Sequence, residues 1–138
     1  MNSGLVALDT SVAVPLLVDT HPMAPRVREA LRDRGFALTE HSLAETYAVL
    51  TRLPGGAHGS PEDVAKVLDS GFEASLLLPI ETKGEIHRIF ARADISGGAI
   101  YDGLVALAAA HHGVTLLSRD ARAHEVYSRL GAAVTFIG

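Results

Sequence analysis

The feature that most constrains the fold is an apolar run too short to be a helix, Leu5-Val6-Ala7-Leu8, which ends abruptly at Asp9-Thr10-Ser11. An unbroken apolar run of this length suits a strand buried on both faces, and the Asp-Thr-Ser after it suits the cap of a helix. The pattern recurs. Phe36 to Thr39, Leu76 to Ile80, Val114 to Ser118 and Ala133 to Ile137 read as further strands, with helix-patterned sequence between them. Such alternation implies an α/β fold with a mostly parallel sheet of about five strands covered by helices on both faces, a three-layer α/β/α arrangement.

The intervening segments carry helix punctuation. Val12 to Val18 is apolar, with Pro15 expected in the first turn of its helix. Residues 22 to 34 place Val27, Ala30 and Leu31 on one stripe, with Arg26, Arg28, Arg32 and Arg34 around the rest and Gly35 as the stop. Ser42-Leu43-Ala44-Glu45 reads as a capping box opening a helix to about Leu53, which Pro54-Gly55-Gly56 breaks. Ser60-Pro61-Glu62-Asp63 opens the next, ending near Gly71, and Thr82-Lys83-Gly84-Glu85 reads as a capping box for a helix through about Ala93. A long apolar helix from Ala99 to His112 closes at Gly113, and a last helix runs from about Ala121 to Leu130. Pro79 is expected at the end of its strand, and Gly55 to Ser60 and Ile95 to Gly98 as loops. With 138 residues, 48% hydrophobic and 20% charged, residues 1–138 are expected to form a single domain with an ample core.

Composition removes several chemistries. The absence of cysteine excludes a disulfide framework, a thiolate metal site and a cysteine nucleophile, leaving oxygen and imidazole. Met1 to Leu8 lacks the basic and apolar regions of a signal peptide, and no run of about 18 apolar residues could span a bilayer, so no membrane is expected and the cytoplasm is the default. The 12 Lys and Arg against 16 Asp and Glu give a formal charge of −4, which taken as an average speaks against a nucleic-acid partner.

Four acids qualify that average. Asp9 directly follows the first apolar strand, at the strand end where ligands of open α/β sheets gather, although a helix-cap role alone would also account for it. Asp120, in Leu117-Ser118-Arg119-Asp120, stands in the same relation to the fourth strand and has the same structural alternative. Asp102 is the only charged residue between Ala99 and Ala110, in a helix apolar enough to be buried nearly all round. No Lys or Arg lies within one turn of it, so an ionised carboxylate there needs a partner such as a cation, unless it simply faces water near the helix start. Glu45 is accounted for by its capping box, unless the helix turns it toward the strand ends.

Gathered in one cleft, these carboxylates would repel: at ~5 Å and an effective dielectric of ~20, each pair costs roughly 3 kcal/mol. A hard-oxygen donor set without sulfur suits Mg²⁺ or Mn²⁺, which leave positions for water and substrate phosphate oxygens, and that chemistry suits phosphodiester hydrolysis. Removing four ligand carboxylates from the count brings the −4 to zero, and bound divalent ions would make the cleft attractive to phosphate.

At these residues the chain resembles the PIN-domain ribonucleases, and among them the VapC-type toxins of bacterial type II toxin-antitoxin modules. The resemblance covers essentially the whole chain and rests on Leu8-Asp9-Thr10-Ser11, Ser42-Leu43-Ala44-Glu45, Tyr101-Asp102-Gly103-Leu104-Val105-Ala106 and Ser118-Arg119-Asp120 in that order. It implies a PIN-like domain with Asp9, Glu45, Asp102 and Asp120 as the catalytic, metal-binding quartet, supported by Ser118 and Thr10. It also implies Mg²⁺- or Mn²⁺-dependent endoribonuclease cleavage of an RNA substrate, a cognate antitoxin bound across the cleft and a homodimer. Gly103 stands where the family often has Ala, and Ser118 where Thr is common.

Arg119 and Arg122 flank Asp120 and are the candidate RNA contacts; the arginines from 26 to 34 serve equally well as a solvated helix face. The 7 histidines are scattered, and none is expected to act as a ligand or base; His111 and His112 suit a helix C-terminus. Tyr47 and Tyr101 lie near two of the acids, where they could line the cleft, with core packing the expected role. The competing readings are a Mg²⁺-dependent phosphatase, which needs a second Asp where Ser11 stands, and a receiver-like signalling domain, which needs an acidic pair after the first strand and a late lysine. The only lysines are Lys66 and Lys83.

Overall fold

Val6 and Leu8 point to one side of the first strand and Ala7 to the other, and the helices sort themselves by that alternation. The computed structural model describes residues 4–53 and 59–138, so the expected break at Pro54-Gly55-Gly56 and most of the loop before Ser60 lie outside the described residues. In chain order the elements are β1 (Leu5–Leu8), α1 (Thr10–Leu17), α2 (Ala24–Ala30), β2 (Gly35–Thr39), α3 (Glu40–Arg52), α4 (Pro61–Gly71), β3 (Ala74–Leu76), α5 (Ile80–Lys83), α6 (Ile86–Arg92), α7 (Ala99–His111), β4 (Thr115–Ser118), a 3-10 turn (Ala121–Ala123), α8 (His124–Arg129) and β5 (Val134–Phe136).

The sheet has the order β3-β2-β1-β4-β5, and every described pairing is parallel. On one face Val6, Leu8, Leu38 and Leu117 pack against Val12 and Ala13 of α1, Val27 of α2, Leu50 of α3 and Val64 and Leu68 of α4. On the other, Ala7, Ala37 and Leu116 meet Val105, Ala106 and Ala109 of α7 and Tyr127 of α8. The alanines let α7 lie close to the sheet, while the larger leucines fill the opposite layer, each fully buried side chain contributing about 1.5–3 kcal/mol. The expected three-layer α/β domain is the observed one. No helix among the described residues is long and apolar enough to cross a membrane.

Several boundaries differ from expectation, each for a local reason. Thr39, not Ser42, caps α3: its hydroxyl accepts from the Ser42 N–H at 3.1 Å, so the helix begins at Glu40 and Ser42 is a buried inner-face residue. Gly35 does not stop α2, which ends at Ala30; it opens β2 opposite Leu5, where a Cβ would collide with the Glu73 side chain. The chain reverses instead through Asp33, at φ 65°. β3 lies earlier than Leu76 to Ile80, overlapping it only at Leu76, and Pro79 stands at the start of α5. Thr82 to Glu85 is no capping box, because two short helices, α5 and α6, replace the single expected one. The expected Ser60–Asp63 box is present, with both reciprocal hydrogen bonds at 3.2 Å.

Pro15 lies beyond the first turn of α1 and denies the Ser11 carbonyl its helical N–H donor. The Arg119 guanidinium supplies the replacement, with Nη1 donating to Ser11 O at 3.1 Å. A proline in α1 thereby ties that helix to the end of β4.

Candidate active site

The C-terminal ends of β1 and β4 lie side by side, with Leu8 opposite Leu117 and the Asp9 N–H donating to Leu117 O at 3.1 Å. Asp9 occupies the N-cap position of α1, but its side chain makes no cap bond. Its Oδ1 accepts from Ser11 Oγ, and its Oδ2 accepts from the Tyr127 hydroxyl at 2.9 Å. Only 5% exposed, Asp9 is raised above the ordinary carboxyl range by burial, against which hydrogen bonds from Ser11, Ser118 and Tyr127 act. Burial and then the neighbouring Asp9 charge push the Tyr127 phenol upward, so it remains a protonated donor. The cap alternative therefore does not explain Asp9.

Asp120 does cap, accepting from the Arg122 N–H at 3.0 Å at the head of the 3-10 turn. Its own N–H donates to Ser118 Oγ at 3.0 Å, so Ser118 fixes the turn that aims the carboxylate. Capping and cleft lining coexist here.

The shift in the start of α3 frees Glu45 from any capping role and places it beyond the first turn. Its Oε1 accepts from Thr10 Oγ1 at 2.6 Å, and His41 Nε2 stands 3.9 Å away. Asp102 lies in the first turn of α7, half-buried, and no hydrogen-bond donor among the described residues reaches its carboxylate. Burial raises its pKa first, followed by the charges of Asp120, Asp9 and Glu45, with His41 opposing. Beside it, Gly103 is required by packing: a Cβ there would come within 2.8 Å of Phe90 Cε1.

Asp9, Glu45, Asp102 and Asp120, with Thr10, Ser11, Val105 and Tyr127, line one cleft of about 170 Å³. The four carboxylates carry no lysine or arginine among their wall residues, and the other three raise the cost of ionising Asp102, so the donor set fits a hard divalent cation. No three His, Asp or Glu side chains among the described residues close into a preformed cage. The open arrangement suits an ion that keeps much of its water, as Mg²⁺ does.

The flanking residues divide. Arg119 is tied to Ser11 through both its N–H, 2.8 Å from Ser11 Oγ, and its guanidinium, which makes it a scaffold residue here. Arg122 is 94% exposed in its side chain, with Nε 3.5 Å from Asp120 Oδ1. Of the arginines around α2, Arg28 pairs with Asp19 and Arg32 with Glu29. His112 lies at the end of α7, its Nε2 2.8 Å from Leu77 O. Tyr47 and Tyr101 are exposed, not core residues as expected. Tyr127, Ser11 and His41 are the site residues missed in the sequence. Ser11 is readable from its place two residues after Asp9, and His41 from its place four before Glu45 once the helix start is moved. Tyr127 carries no local signal.

The sequence matches the PIN domain family over residues 6–129. It is 49% identical over 129 residues, 94% of each chain, to "Ribonuclease VapC27" of Mycobacterium tuberculosis. It is 37% identical over 134 residues, 96% of this chain and 99% of the other, to "Ribonuclease VapC40" of the same species. The fold is similar to the structure of VapBC2 from Rickettsia felis bound to a promoter DNA fragment, with a TM-score of 0.67 at 14% identity, covering 97% of this chain and 99% of that one. Matching the family over nearly its whole length and carrying the four acids in one cleft, the chain belongs to the PIN-domain family.

Proposed function

We propose that this protein is a VapC-type endoribonuclease, the toxin of a type II toxin-antitoxin module, acting in the cytoplasm. The observation that carries the reading is the convergence of Asp9, Glu45, Asp102 and Asp120 on one cleft in which no hydrogen-bond donor among the described residues reaches Asp102. These residues would hold Mg²⁺ or Mn²⁺. Bound there, the ion supplies an activated water at neutral pH and neutralises phosphate charge. In the cleavage a water oxygen bonds to phosphorus, one P–O ester bond breaks, and the departing oxygen takes up a proton.

The chain's part is placement. Ser11 and Tyr127 hold Asp9 with both oxygens engaged, Thr10 orients Glu45, and Ser118 fixes the backbone of Asp120. The Tyr127 phenol, kept protonated by burial and by the Asp9 charge, is the donor in that bond. Arg122, exposed beside Asp120, is the proposed contact to an RNA phosphate, with salt-dependent affinity as the consequence. A cognate antitoxin covering the cleft and a homodimeric assembly complete the reading. Position 11, where a phosphatase needs a second Asp, is a serine whose hydroxyl donates to Asp9.

The test is cleavage of single-stranded RNA by the purified protein. Mg²⁺ or Mn²⁺ should support it, EDTA should abolish it, and Asp9→Asn should reduce it by about 10³-fold while the protein stays folded. Undiminished cleavage in EDTA, or by the folded variant, overturns the mechanism.

A further inference from the structure

Beside the acidic cleft stand two rings that the metal chemistry does not use. His41, in the first turn of α3, and Tyr101, in the first turn of α7, stack with centroids 5.4 Å apart and planes 17° from parallel. Each is built into the element that carries an acid: Tyr101 is adjacent to Asp102, and His41 lies one turn before Glu45, with Nε2 3.9 Å from its carboxylate. Their position relative to the carboxylates is therefore set by helix geometry. Tyr101 is 54% exposed even with His41 against it, and its hydroxyl has no partner among the described residues.

A tyrosine stacked on a histidine with more than half its surface open to solvent and no polar partner for its hydroxyl among the described residues is not accounted for by core packing. It does present a π face at the rim of a cleft suited to a phosphate. A ribonuclease must hold the nucleotides next to the bond it cuts. Single-stranded RNA is held largely by stacking its splayed bases on aromatic side chains, worth roughly tenfold or more in affinity per base. Beyond His41 lies a cavity of about 400 Å³ whose wall is mostly apolar, including Ala44, Leu76, Leu104 and Ala108, with the Glu40–Lys83 ion pair at its edge.

The geometry points to the His41–Tyr101 pair as a base-stacking subsite for the nucleotide flanking the cleaved phosphate, Tyr101 presenting the open face and His41 backing it. This rests on the ribonuclease reading. Purines, with the larger π surface, should be preferred there.

The test uses the full chain with Mg²⁺ and a pool of random single-stranded RNA, the cleaved ends being sequenced, together with steady-state kinetics on one cleaved oligonucleotide. Tyr101→Ala should raise KM roughly tenfold with kcat within about threefold, and should flatten the purine preference at one flanking position. Tyr101→Phe, which keeps the ring, should recover both. Wild-type cleavage matched by Tyr101→Ala in KM and base preference overturns this inference alone. So does a Tyr101→Ala variant that loses self-association or antitoxin binding while its RNA kinetics stay unchanged. A wild-type protein that cleaves no RNA overturns the ribonuclease reading and this inference with it.

Discussion

Two of the four acids ride on strands and two on helices, and the protein treats the pairs differently. Asp9 and Asp120 leave β1 and β4, where backbone N–H groups and short hydroxyls are close at hand. Asp9 takes hydrogen bonds from Ser11 and Tyr127, and Asp120 takes one from the Arg122 N–H. Glu45 and Asp102 project from α3 and α7, whose own N–H groups are spent inside the helices. Glu45 receives the Thr10 hydroxyl, and Asp102 receives no donor among the described residues. The strand-borne carboxylates and Glu45 are thus each held by at least one donor of the chain, whereas among the described residues Asp102 has none and its charge waits for a cation. Strand ends supply position, and the α7 face supplies the unmet charge.

Asp102→Asn is the strongest probe of that division. Cleavage should fall by about 10³-fold, and the metal-free protein should become more stable, by on the order of 1 kcal/mol or about 2–4 °C in Tm, because a repelled charge is removed. The sign follows from linkage. Asp102 in the folded state has a pKa above its ordinary value of 3.8. Between that value and the raised one the native state binds more protons than the unfolded, so stability rises as pH falls through the window and is flat below it. The variant should lose that part of the slope, and Mg²⁺ should raise the wild-type Tm more than the variant's. A metal-free variant less stable than wild type would reverse the assignment of unmet charge to the helix side.

Tyr127→Phe tests the strand side and should act in the opposite direction. It keeps the ring in the core but leaves Asp9 Oδ2 without its donor, at a cost of about 1–3 kcal/mol. Cleavage should drop about tenfold and the Mn²⁺ concentration for half-activity should rise, since an untethered carboxylate must be ordered by the ion. Binding of Mn²⁺ followed by calorimetry should weaken in parallel. Wild-type stability and Mn²⁺ affinity in the variant would mean that Asp9 needs no such anchor.

What the sequence made legible follows the same division. β1 and the helix that Gly113 closes at φ 66° can be read because short apolar runs and a left-handed glycine are local signals. The strand-borne acids are equally local, each standing just past an apolar run. Glu45 was obscured by a plausible cap, since Ser42 and Glu45 satisfy the capping-box spacing while Thr39, three residues earlier, makes the bond. That displaced start also left His41 outside the helix and hid its place one turn from Glu45. The Tyr127–Asp9 bond spans 118 positions, and only the folding of α8 across the sheet brings it about. Gly103 likewise depends on Phe90 from another helix.

The smallest effect concerns what holds the strand side in place. Ser11 O loses its helical donor to Pro15 and gains one from Arg119, while Ser11 Oγ both accepts from the Arg119 N–H and donates to Asp9. Arg119→Ala should therefore cost about 1 kcal/mol and reduce cleavage only a few-fold, by loosening Ser11 without touching the acids. Pro15→Ala restores an N–H at the position that would reach Ser11 O, so Arg119→Ala should cost less in that background, by about 0.5–1 kcal/mol, measured by urea denaturation of both singles and the double variant. Strict additivity would show that Arg119 and Pro15 act independently. An Arg119→Ala loss confined to RNA binding, with stability unchanged, would move Arg119 from the scaffold to the RNA contacts. Coupling would instead show that the arginine beside Asp120 is fixed by a proline at the opposite end of the sequence, and that the rigidity of the strand-borne pair was settled in α1.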